Sequence, residues 1–370
     1  MEKRKGNISL GAVKGIRIYL HWSFFLLLVY LVVAEMMRGG GWSSAAQLVL
    51  LVLAVFATVV LHELGHALTA KRYGCRTRDI ILLPIGGVAR MDRLPEDPGQ
   101  EIKVALAGPA VNFALAALIY LLFFRSGGLP PISELSELRP SNWWAHFFYA
   151  NAVLAIFNLI PAFPMDGGRV MRGLLSFRLD RLTATRIAAF LGQVIAIIMV
   201  VAGLFSNPML VFVGAFIFFG AQMESDYLIG RSLLKGVAVR DVLMYPMVSL
   251  PADAKLSDAM NLLLRTQATR FVVMNGDLPV GVIDRKSLLL HIEEGGPGIR
   301  VADCMRSDIP VSSPDEDLET VYRKMQTGDD QLFLVKEGDR FSGYVDIENL
   351  LEFMLLRKAL AKRRKFEINP

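Results

Sequence analysis

The sequence is poor in cysteine, histidine and charge. Its 370 residues include 2 cysteines and 5 histidines, and 20% of them are charged. The cysteines, Cys75 and Cys304, lie in different halves of the chain, which excludes the disulfide framework of a small secreted protein. Because 53% of the residues are hydrophobic, the chain is also too apolar for an ordinary soluble enzyme.

Apolar and charged residues are segregated along the chain. Residues 1–224 hold nearly all the long apolar runs, whereas residues 237–370 read as alternating strands and charged helices. We therefore expect a membrane domain over 1–224, a linker over 225–236 and a water-soluble domain over 237–370. The net charge of +5 is explained by loops at one membrane face, so nucleic acid is not expected as a partner.

Six apolar stretches approach the roughly 20 residues that a helix needs to cross a bilayer. They lie at residues 18–37, 45–70, 102–124, 143–163, 186–205 and 208–224. Most lysines and arginines between them, including Arg169, Arg172 and Arg181, fall on one side. By the positive-inside rule, this side, the N-terminus and the soluble domain face the cytoplasm. The sequence thus predicts a multi-pass protein in the lipid bilayer of the cell membrane.

The second apolar stretch ends in a cluster of ionisable residues. Residues 45–61 carry no charge and are followed by the motif HELGH at 62–66. On a helix, His62 and His66 lie one turn apart on the same face, while Glu63 projects to the side. An ionisable group inside hydrocarbon costs about 3 kcal/mol or more, and metal coordination would compensate for three of them. The pattern is typical of a zinc hydrolase.

Zinc held by two histidines needs a third protein ligand. Asp166 is the best candidate, because it lies in segment 158–169, where two prolines and two glycines should break an apolar helix. The alternative is that Asp166 only caps the helix that follows, since aspartate is a preferred N-cap residue. His21 and His146 lie close to tryptophans at predicted span ends and are left out of the ligand set.

These two motifs carry a resemblance to a known family. The motif HELGH and residues 158–168, which read NLIPAFPMDGG, resemble the site-2 protease family of intramembrane zinc metalloproteases. The resemblance implies one Zn²⁺ held by His62, His66 and Asp166, with Glu63 as the general base that activates a water molecule on the zinc. It also implies a substrate that is a membrane-spanning or membrane-adjacent segment of another, membrane-tethered protein.

Two asparagines are candidates to bind substrate or to stabilise an oxyanion. Asn158 belongs to the family motif. Asn112 follows Gly108-Pro109 at the start of the third apolar stretch and resembles a further short motif with a polar residue facing the active site. For Asn112, an interhelical hydrogen bond in a seam of small residues is the alternative.

A pair of strands is expected beside the metal helix. Residues 79–90 combine β-branched residues and leucines with Gly86-Gly87, which predicts a short membrane-associated β-hairpin. An exposed strand edge there could pair with an extended substrate segment by β-addition. A plain connecting loop is the alternative.

The soluble part contains an internal repeat over 237–291 and 299–356. The motif VRDVLM at 239–244 recurs, one residue shorter, as VADCM at 301–305, and each is followed by a helix, two strands and a second helix. Asn275-Gly276 predicts a turn between strands. The segment 313–316, which reads SPDE, predicts a capping box that starts a helix.

The repeats resemble a cystathionine-β-synthase (CBS) domain pair, as in the six-span branch of the site-2 proteases. The resemblance implies a pseudo-symmetric unit that admits adenine nucleotides between its halves and a homodimer through them. The nucleotide signature is incomplete here, since Asp284 replaces the expected hydroxyl residue, and Ser287 and Asn349 replace the expected aspartates. A carboxylate at the phosphate position repels an anion, which argues against a nucleotide. The basic tail, which includes Lys358, rests on anionic lipids or forms a solvated helix end.

The sequence therefore predicts a polytopic α-helical membrane protein with about six transmembrane helices and a membrane-associated β-hairpin, followed by a soluble α/β CBS-domain pair. The predicted function is intramembrane zinc endopeptidase. Two alternatives are a CBS-regulated membrane cation transporter and a catalytically inactive membrane-protein receptor. Glu63 has no necessary place in a cation path, and the intact set of His62, Glu63, His66 and Asp166 argues against an inactive receptor.

Overall fold

The structure, a computed structural model, divides the chain into two compact units. They comprise Met1–Leu228 and Ile229–Pro370. The residues that it describes are 6–84, 86–91, 95–135, 138–245, 247–266, 268–328, 330–338 and 340–368. At residues 327 and 361–368 it describes the backbone alone, so the basic side chains of the tail beyond Lys358 lie outside the description, as do Lys3, Arg4 and Lys5.

Helices dominate the first unit. They are α1 (Ser23–Met37), α2 (Trp42–Arg72), α3 (Pro98–Phe123), α4 (Trp143–Asn158), α5 (Asp166–Ser176), α6 (Arg181–Phe205) and the greater part of α7 (Pro208–Leu234). Within the described residues, α2, α3, α6 and α7 are long and apolar enough to cross a membrane, which confirms the predicted fold class. The helices α1 and α4 have 15 and 16 residues, fewer than a full crossing needs. The count of six crossings therefore stays a prediction.

A four-stranded sheet accompanies these helices. Its strands are β1 (Asn7–Val13), β2 (Ile16–His21), β3 (Thr77–Leu83) and β4 (Gly86–Met91), in the order β1-β2-β3-β4. The predicted hairpin is present as the antiparallel pair of β3 and β4, although Ile85 lies outside the described residues. The strands β2 and β3 pair in parallel, which joins the hairpin to the N-terminal strands. Because β4 pairs with β3 on one side, it forms the end strand of the described sheet.

The prediction that the first span starts at residue 18 is wrong. Residues up to His21 belong to β2, and α1 begins at Ser23. Within β2, Ile16, Ile18 and Leu20 are buried, and Ile16 packs into a cluster with residues of α2 and β3. The alternation of buried and more exposed residues is that of a strand with one face on a core.

The second unit contains two copies of one strand and helix pattern. Its strands are β5 (Ser249–Pro251), β6 (Arg270–Asn275), β7 (Leu278–Asp284), β8 (Val311–Ser312), β9 (Leu332–Glu337) and β10 (Arg340–Asp346). Its helices are α8 (Leu256–Thr266), α9 (Arg285–Gly295), α10 (Val301–Cys304), α11 (Leu318–Thr327) and α12 (Ile347–Ile368). The sheets β5-β6-β7 and β10-β9-β8 each join one parallel to one antiparallel pair, so the repeat is confirmed. The predicted turn at Gly276 is also present, with φ +60°.

The capping box predicted at Ser313 is wrong. The helix α11 begins at Leu318, and its N-cap is Asp317, whose Oδ2 accepts a hydrogen bond from Thr320 N at 3.2 Å. Ser313 instead closes a turn, in which its carbonyl accepts from Glu316 N at 3.1 Å. The helix starts later because its apolar face begins at Leu318, which is fully buried.

Candidate metal centre

The helix α2 places the two histidines of HELGH one turn apart inside the first unit. His62 and His66 are 5% and 3% exposed, and their ring centroids lie 4.7 Å apart. The Nε2 atoms of the two rings approach each other to 3.0 Å. The imidazoles therefore converge on one point through the same ring atom.

Asp166 completes this convergence from the first residue of α5. Its Oδ2 lies 3.2 Å from His62 Nε2 and 3.0 Å from His66 Nε2. The N-cap of α5 is Met165, without a side-chain capping bond, so the carboxylate faces the histidines instead of its own helix. The structure thus brings together two residues and a third that follows them by about a hundred positions.

The donor set fits Zn²⁺. A tetrahedral ion with bonds of about 2.0–2.1 Å requires ligand atoms about 3.3 Å apart, and the three atoms here are separated by 3.0–3.2 Å. Two imidazole nitrogens and one carboxylate oxygen also match the ligand types of catalytic zinc sites, which keep a fourth position open.

The helix α3 holds both imidazoles in one tautomer. His62 Nδ1 donates to Asn112 Oδ1 at 2.6 Å, and His66 Nδ1 donates to the carbonyl of Val104 at 2.7 Å. Since both acceptors are oxygens without a hydrogen to give, each ring carries its proton on Nδ1. The lone pairs of the two Nε2 atoms are then free to bind a metal ion.

Asn112 is itself held by Asn151, which sequence reasoning missed. Asn112 Nδ2 donates to Asn151 Oδ1 at 3.1 Å, and Asn151 Nδ2 donates to the carbonyl of Phe147 at 2.9 Å. Both asparagines are fully buried. Because one Asn112 group faces His62 and the other Asn151, the structure places this side chain behind the histidine and outside the cavity lining, not at the predicted oxyanion position.

Two glycines bring α2 and α3 into close contact at the site. A Cβ on Gly108 would lie 2.6 Å from His62 Nε2, and a Cβ on Gly65 would lie 2.8 Å from the carbonyl of Ala107. Any larger residue at either position would push the helices apart. The backbone of α3 therefore lies directly against the imidazoles.

A cavity of about 410 Å³ opens onto the site. Its lining includes the three converging residues, Glu63, Asn158, Arg169 and residues 86–89 of β4. The strand lies against Glu63, since a Cβ on Gly87 would be 2.8 Å from Glu63 Cγ. Asn158 Nδ2 donates to the carbonyl of Leu154 at 2.9 Å.

Two arginines of α5 lie at or behind the site: Arg169 at the cavity and Arg172 between neighbouring helices. Arg169 lines the cavity, and its Nη1 lies 4.0 Å from Asp166 Oδ1, the oxygen turned away from the histidines. Arg172 is 1% exposed and donates to Glu101 at 2.7 Å and to Glu224 at 2.6 Å. These buried ion pairs tie α5 to α3 and α7. In the sequence, the only sign of these roles is the spacing of Arg169 and Arg172, which places them about one helical turn apart.

The other histidines of the first unit lie elsewhere. His21 Nδ1 is 2.6 Å from Ser23 Oγ, and His146 Nδ1 donates to the carbonyl of Asn142 at 3.0 Å. Neither belongs to the group formed by His62, His66 and Asp166.

Comparison with known proteins identifies the family. The model of peptidase family M50 matches residues 50–202, and the CBS domain model matches residues 239–294 and 301–356. Zinc metalloprotease MJ0392 from Methanocaldococcus jannaschii is 36% identical over 354 residues, which cover 94% of this chain and 96% of the relative. The chain belongs to peptidase family M50, the site-2 proteases.

Two further proteins are similar to this M50 peptidase. Rip3 of Mycobacterium tuberculosis is 27% identical over 372 residues, which cover 93% of each chain. The solved structure of a site-2 protease from Methanocaldococcus jannaschii is 39% identical, covers 59% of this chain and 95% of that chain, and has a TM-score of 0.44. The predicted family and CBS pair are confirmed, and the chain is a zinc metalloendopeptidase of the membrane.

Proposed function

We propose that this M50 peptidase hydrolyses a peptide bond in a membrane-spanning or membrane-adjacent segment of a membrane-tethered protein. The observation that supports it best is the convergence of His62 Nε2, His66 Nε2 and Asp166 Oδ2 beside Glu63, in a cavity bounded by a strand edge. Cleavage there would release the tethered protein from the membrane, the outcome of regulated intramembrane proteolysis.

His62, His66 and Asp166 would hold one Zn²⁺. When bound, the ion supplies Lewis acidity, which acidifies a water molecule and polarises the carbonyl of the peptide bond. Asn112 and the Val104 carbonyl keep the imidazoles in the tautomer that ligation requires. Arg169 faces the second oxygen of Asp166 and favours ligation through Oδ2 alone.

Glu63 would move the protons. It is not part of the converging group, yet it lines the same cavity one residue from His62. Its carboxylate can take a proton from the attacking water and then deliver that proton to the nitrogen of the leaving amine. Asn158, which keeps a second amide hydrogen beyond the one donated to Leu154, can donate to the oxygen on which negative charge develops.

The strand β4 would hold the substrate in extended form. A membrane-spanning helix hides its carbonyls in internal hydrogen bonds, so it must unwind and find new partners before it is cut. The end strand β4 can supply those partners by β-addition. Because β4 lies against Glu63, the added segment would pass directly over the base.

Membrane orientation and the soluble repeats extend the proposal. We place the N-terminus and residues 237–370 in the cytoplasm of a bacterial or archaeal cell, with 225–236 as the linker. In a chain whose own cysteines are replaced, Asp253→Cys should react with a membrane-impermeant thiol reagent only after the cells are opened. Labelling of intact cells would reverse the orientation.

Co-expression tests the function. Single-span membrane proteins with a tag at each end are expressed with the wild-type chain or with Glu63→Gln. We expect tagged fragments with the wild type alone, at equal zinc content of the two purified proteins. Identical fragments with both chains would contradict the role of Glu63. Absent cleavage together with Glu63-dependent cation flux into proteoliposomes would identify a transporter instead.

A further inference from the structure

A second cavity, of about 330 Å³, lies at the end of α2 that is remote from Trp42. It is formed between the turn that joins β1 to β2 and the loop that follows α2. Its lining includes Lys14, Lys71, Arg76 and Thr77. No residue of the metal centre contributes to it.

The cavity carries three cationic side chains without acidic partners. Lys14, Lys71 and Arg76 are all exposed, and within the described part of the chain none lies within ion-pair distance of a carboxylate. Lys71 Nζ donates to the carbonyl of Lys14 at 3.0 Å, which brings the turn and the helix end together. The result is a pocket of charge +3 that attracts an anion.

Thr77 provides an independent sign of a ligand. The residue is 7% exposed, and its buried Oγ1 has no hydrogen-bond partner among the residues that the structure describes. A buried hydroxyl without a partner is unfavourable, and rotation of this side chain toward an acceptor in the cavity would satisfy it. The cavity is also lined by Gly15 and Gly74, which have φ of +88° and +73° and open space where a side chain would be.

The position of the cavity relative to the membrane indicates which kind of anion would bind there. The 31 residues of α2 span about 46 Å, more than the hydrocarbon core of about 30 Å. Lys71, in the last turn of α2 and about 13 Å along the helix from His62, would therefore lie beyond the core. Three exposed apolar residues of β1, Ile8, Leu10 and Val13, lead directly to Lys14. Apolar residues beside lysines are typical of a segment at the boundary between acyl chains and headgroups.

We propose that this cavity binds the phosphate of an anionic phospholipid headgroup. Lys14, Lys71 and Arg76 would contact the phosphate oxygens, and Thr77 Oγ1 would donate to one of them. The acyl chains would lie along β1 and cover its exposed residues Ile8, Leu10 and Val13. The bound lipid would join the β1–β2 turn to the end of the helix that carries the histidines.

Native mass spectrometry of the full chain in detergent tests the proposal, with short-chain phosphatidylglycerol as the probe. We expect the triple variant Lys14→Gln, Lys71→Gln, Arg76→Gln to weaken binding at least tenfold, and Thr77→Val to weaken it about threefold. A matched triple, Lys103→Gln, Arg178→Gln, Arg186→Gln, removes the same charge from exposed positions outside the cavity. It should change binding less than twofold. Equal losses in the two triples would overturn the site.

Competition separates the lipid from other anions. Short-chain phosphatidylcholine, inorganic phosphate and an acidic peptide are each added to the complex with phosphatidylglycerol. We expect none of them to displace it at tenfold excess. Displacement by inorganic phosphate would make this a site for a soluble anion, and displacement by the peptide would make it a protein-docking site. Displacement by phosphatidylcholine would show that the site does not select an anionic headgroup. Each of these results would contradict the proposal, as would a Thr77→Val variant that binds as tightly as the wild type.

Discussion

Asp166 in the first unit and Asp284 in the second both stand at the start of a helix, but they face different partners. Asp284 is the N-cap of α9, and its Oδ1 accepts from Ser287 N at 2.7 Å. Asp166 follows the N-cap of α5 and lies 3.0 Å from His66 Nε2. The same residue type therefore stabilises its own helix in one unit and faces a distant helix in the other.

The difference shows that α5 lacks a stabilising N-cap because its aspartate faces the histidines. A side-chain N-cap stabilises a helix by about 1 kcal/mol, and α5 begins without one. Its position depends instead on Arg172, whose buried contacts with Glu101 and Glu224 hold α5 in place. Removing one partner of such a pair leaves an uncompensated buried charge, which costs about 3–5 kcal/mol. The helix that carries Asp166 is thus held in place by Arg172 and not by a cap of its own.

Glu63→Gln should give the largest change in the cleavage rate, and it should leave zinc binding unchanged. The amide cannot accept a proton from water, so we expect cleavage to slow by about 10²–10⁴-fold. Zinc content should stay unchanged, because Glu63 is outside the converging group. Cleavage assays and elemental analysis of the purified variant measure both. Zinc loss in Glu63→Gln would place this residue among the ligands.

Asp166→Asn and Asp284→Asn make one chemical change at two helix starts. For Asp166→Asn we expect zinc affinity to fall at least about 100-fold, beyond the effect of losing a supporting contact. For Asp284→Asn we expect the free energy of unfolding to change by less than about 0.5 kcal/mol, because asparagine caps a helix as well as aspartate does. Competition with a chelator and chemical denaturation measure the two. Similar zinc affinity in both variants would mean that Asp166 is only structural.

Asn151→Leu should lower the affinity for zinc, although Asn151 is not part of the converging group. The change removes the acceptor of Asn112 Nδ2, so Asn112 can rotate and His62 loses its fixed tautomer. We expect zinc affinity to fall by about 10–100-fold, measured by chelator competition. Thr185→Val is the matched control, because Thr185 is also fully buried but donates to the carbonyl of Arg181 at 2.8 Å. Equal effects of both variants would point to general destabilisation.

Asp317→Ala should lower the free energy of unfolding of the second unit by about 1 kcal/mol, through the lost N-cap of α11. Ser313→Ala, four residues earlier, should lower it by no more than a few tenths of a kcal/mol, since Ser313 caps no helix. Denaturation followed by circular dichroism distinguishes them. The reverse order of effects would restore the capping box expected from the sequence. Cleavage should be unchanged in both.

The smallest expected effect depends on pH. Burial raises the pKa of Glu316, but hydrogen bonds from Lys324 and Ser312 and the lysine charge lower it by more, so the net pKa lies below its ordinary value of 4.5. The carboxylate therefore stabilises the fold above that value, and this contribution is lost as the pH falls through the folded pKa. Glu316→Gln should unfold more easily than the wild type at pH 7, by less than about 1 kcal/mol. We expect this difference to shrink on acidification below pH 4.5; a difference that grows would reverse the sign.

The sequence predicted the features that depend on short spacings. The helical repeat alone relates His62 to His66, and prolines beside glycines indicated the break before Asp166. Asn151 could not be found in this way. Its partner Asn112 lies 39 positions away on another helix, and a single asparagine in an apolar stretch has no periodic signature. Its role follows only from how α3 and α4 pack.

The N-terminal strands were missed for a different reason. Residues 16–21 alternate in burial, as a strand does, but they run directly into the apolar residues of α1. Total hydrophobicity over a long window therefore outweighed the period of two. The helix α11 starts at Leu318 and not near Ser313 because Leu318 is buried, which is a tertiary property that the local capping pattern does not contain.

The close approach of Gly108 has a consequence for metal exchange. The backbone of α3 lies against the two rings, so the cavity lined by Glu63 and β4 is the described opening through which an ion would leave and a substrate would enter. Substrate and chelator would then use the same opening of the cavity. A peptide bound there should slow the transfer of zinc to a chelator, so an enzyme with bound substrate should retain its zinc longer.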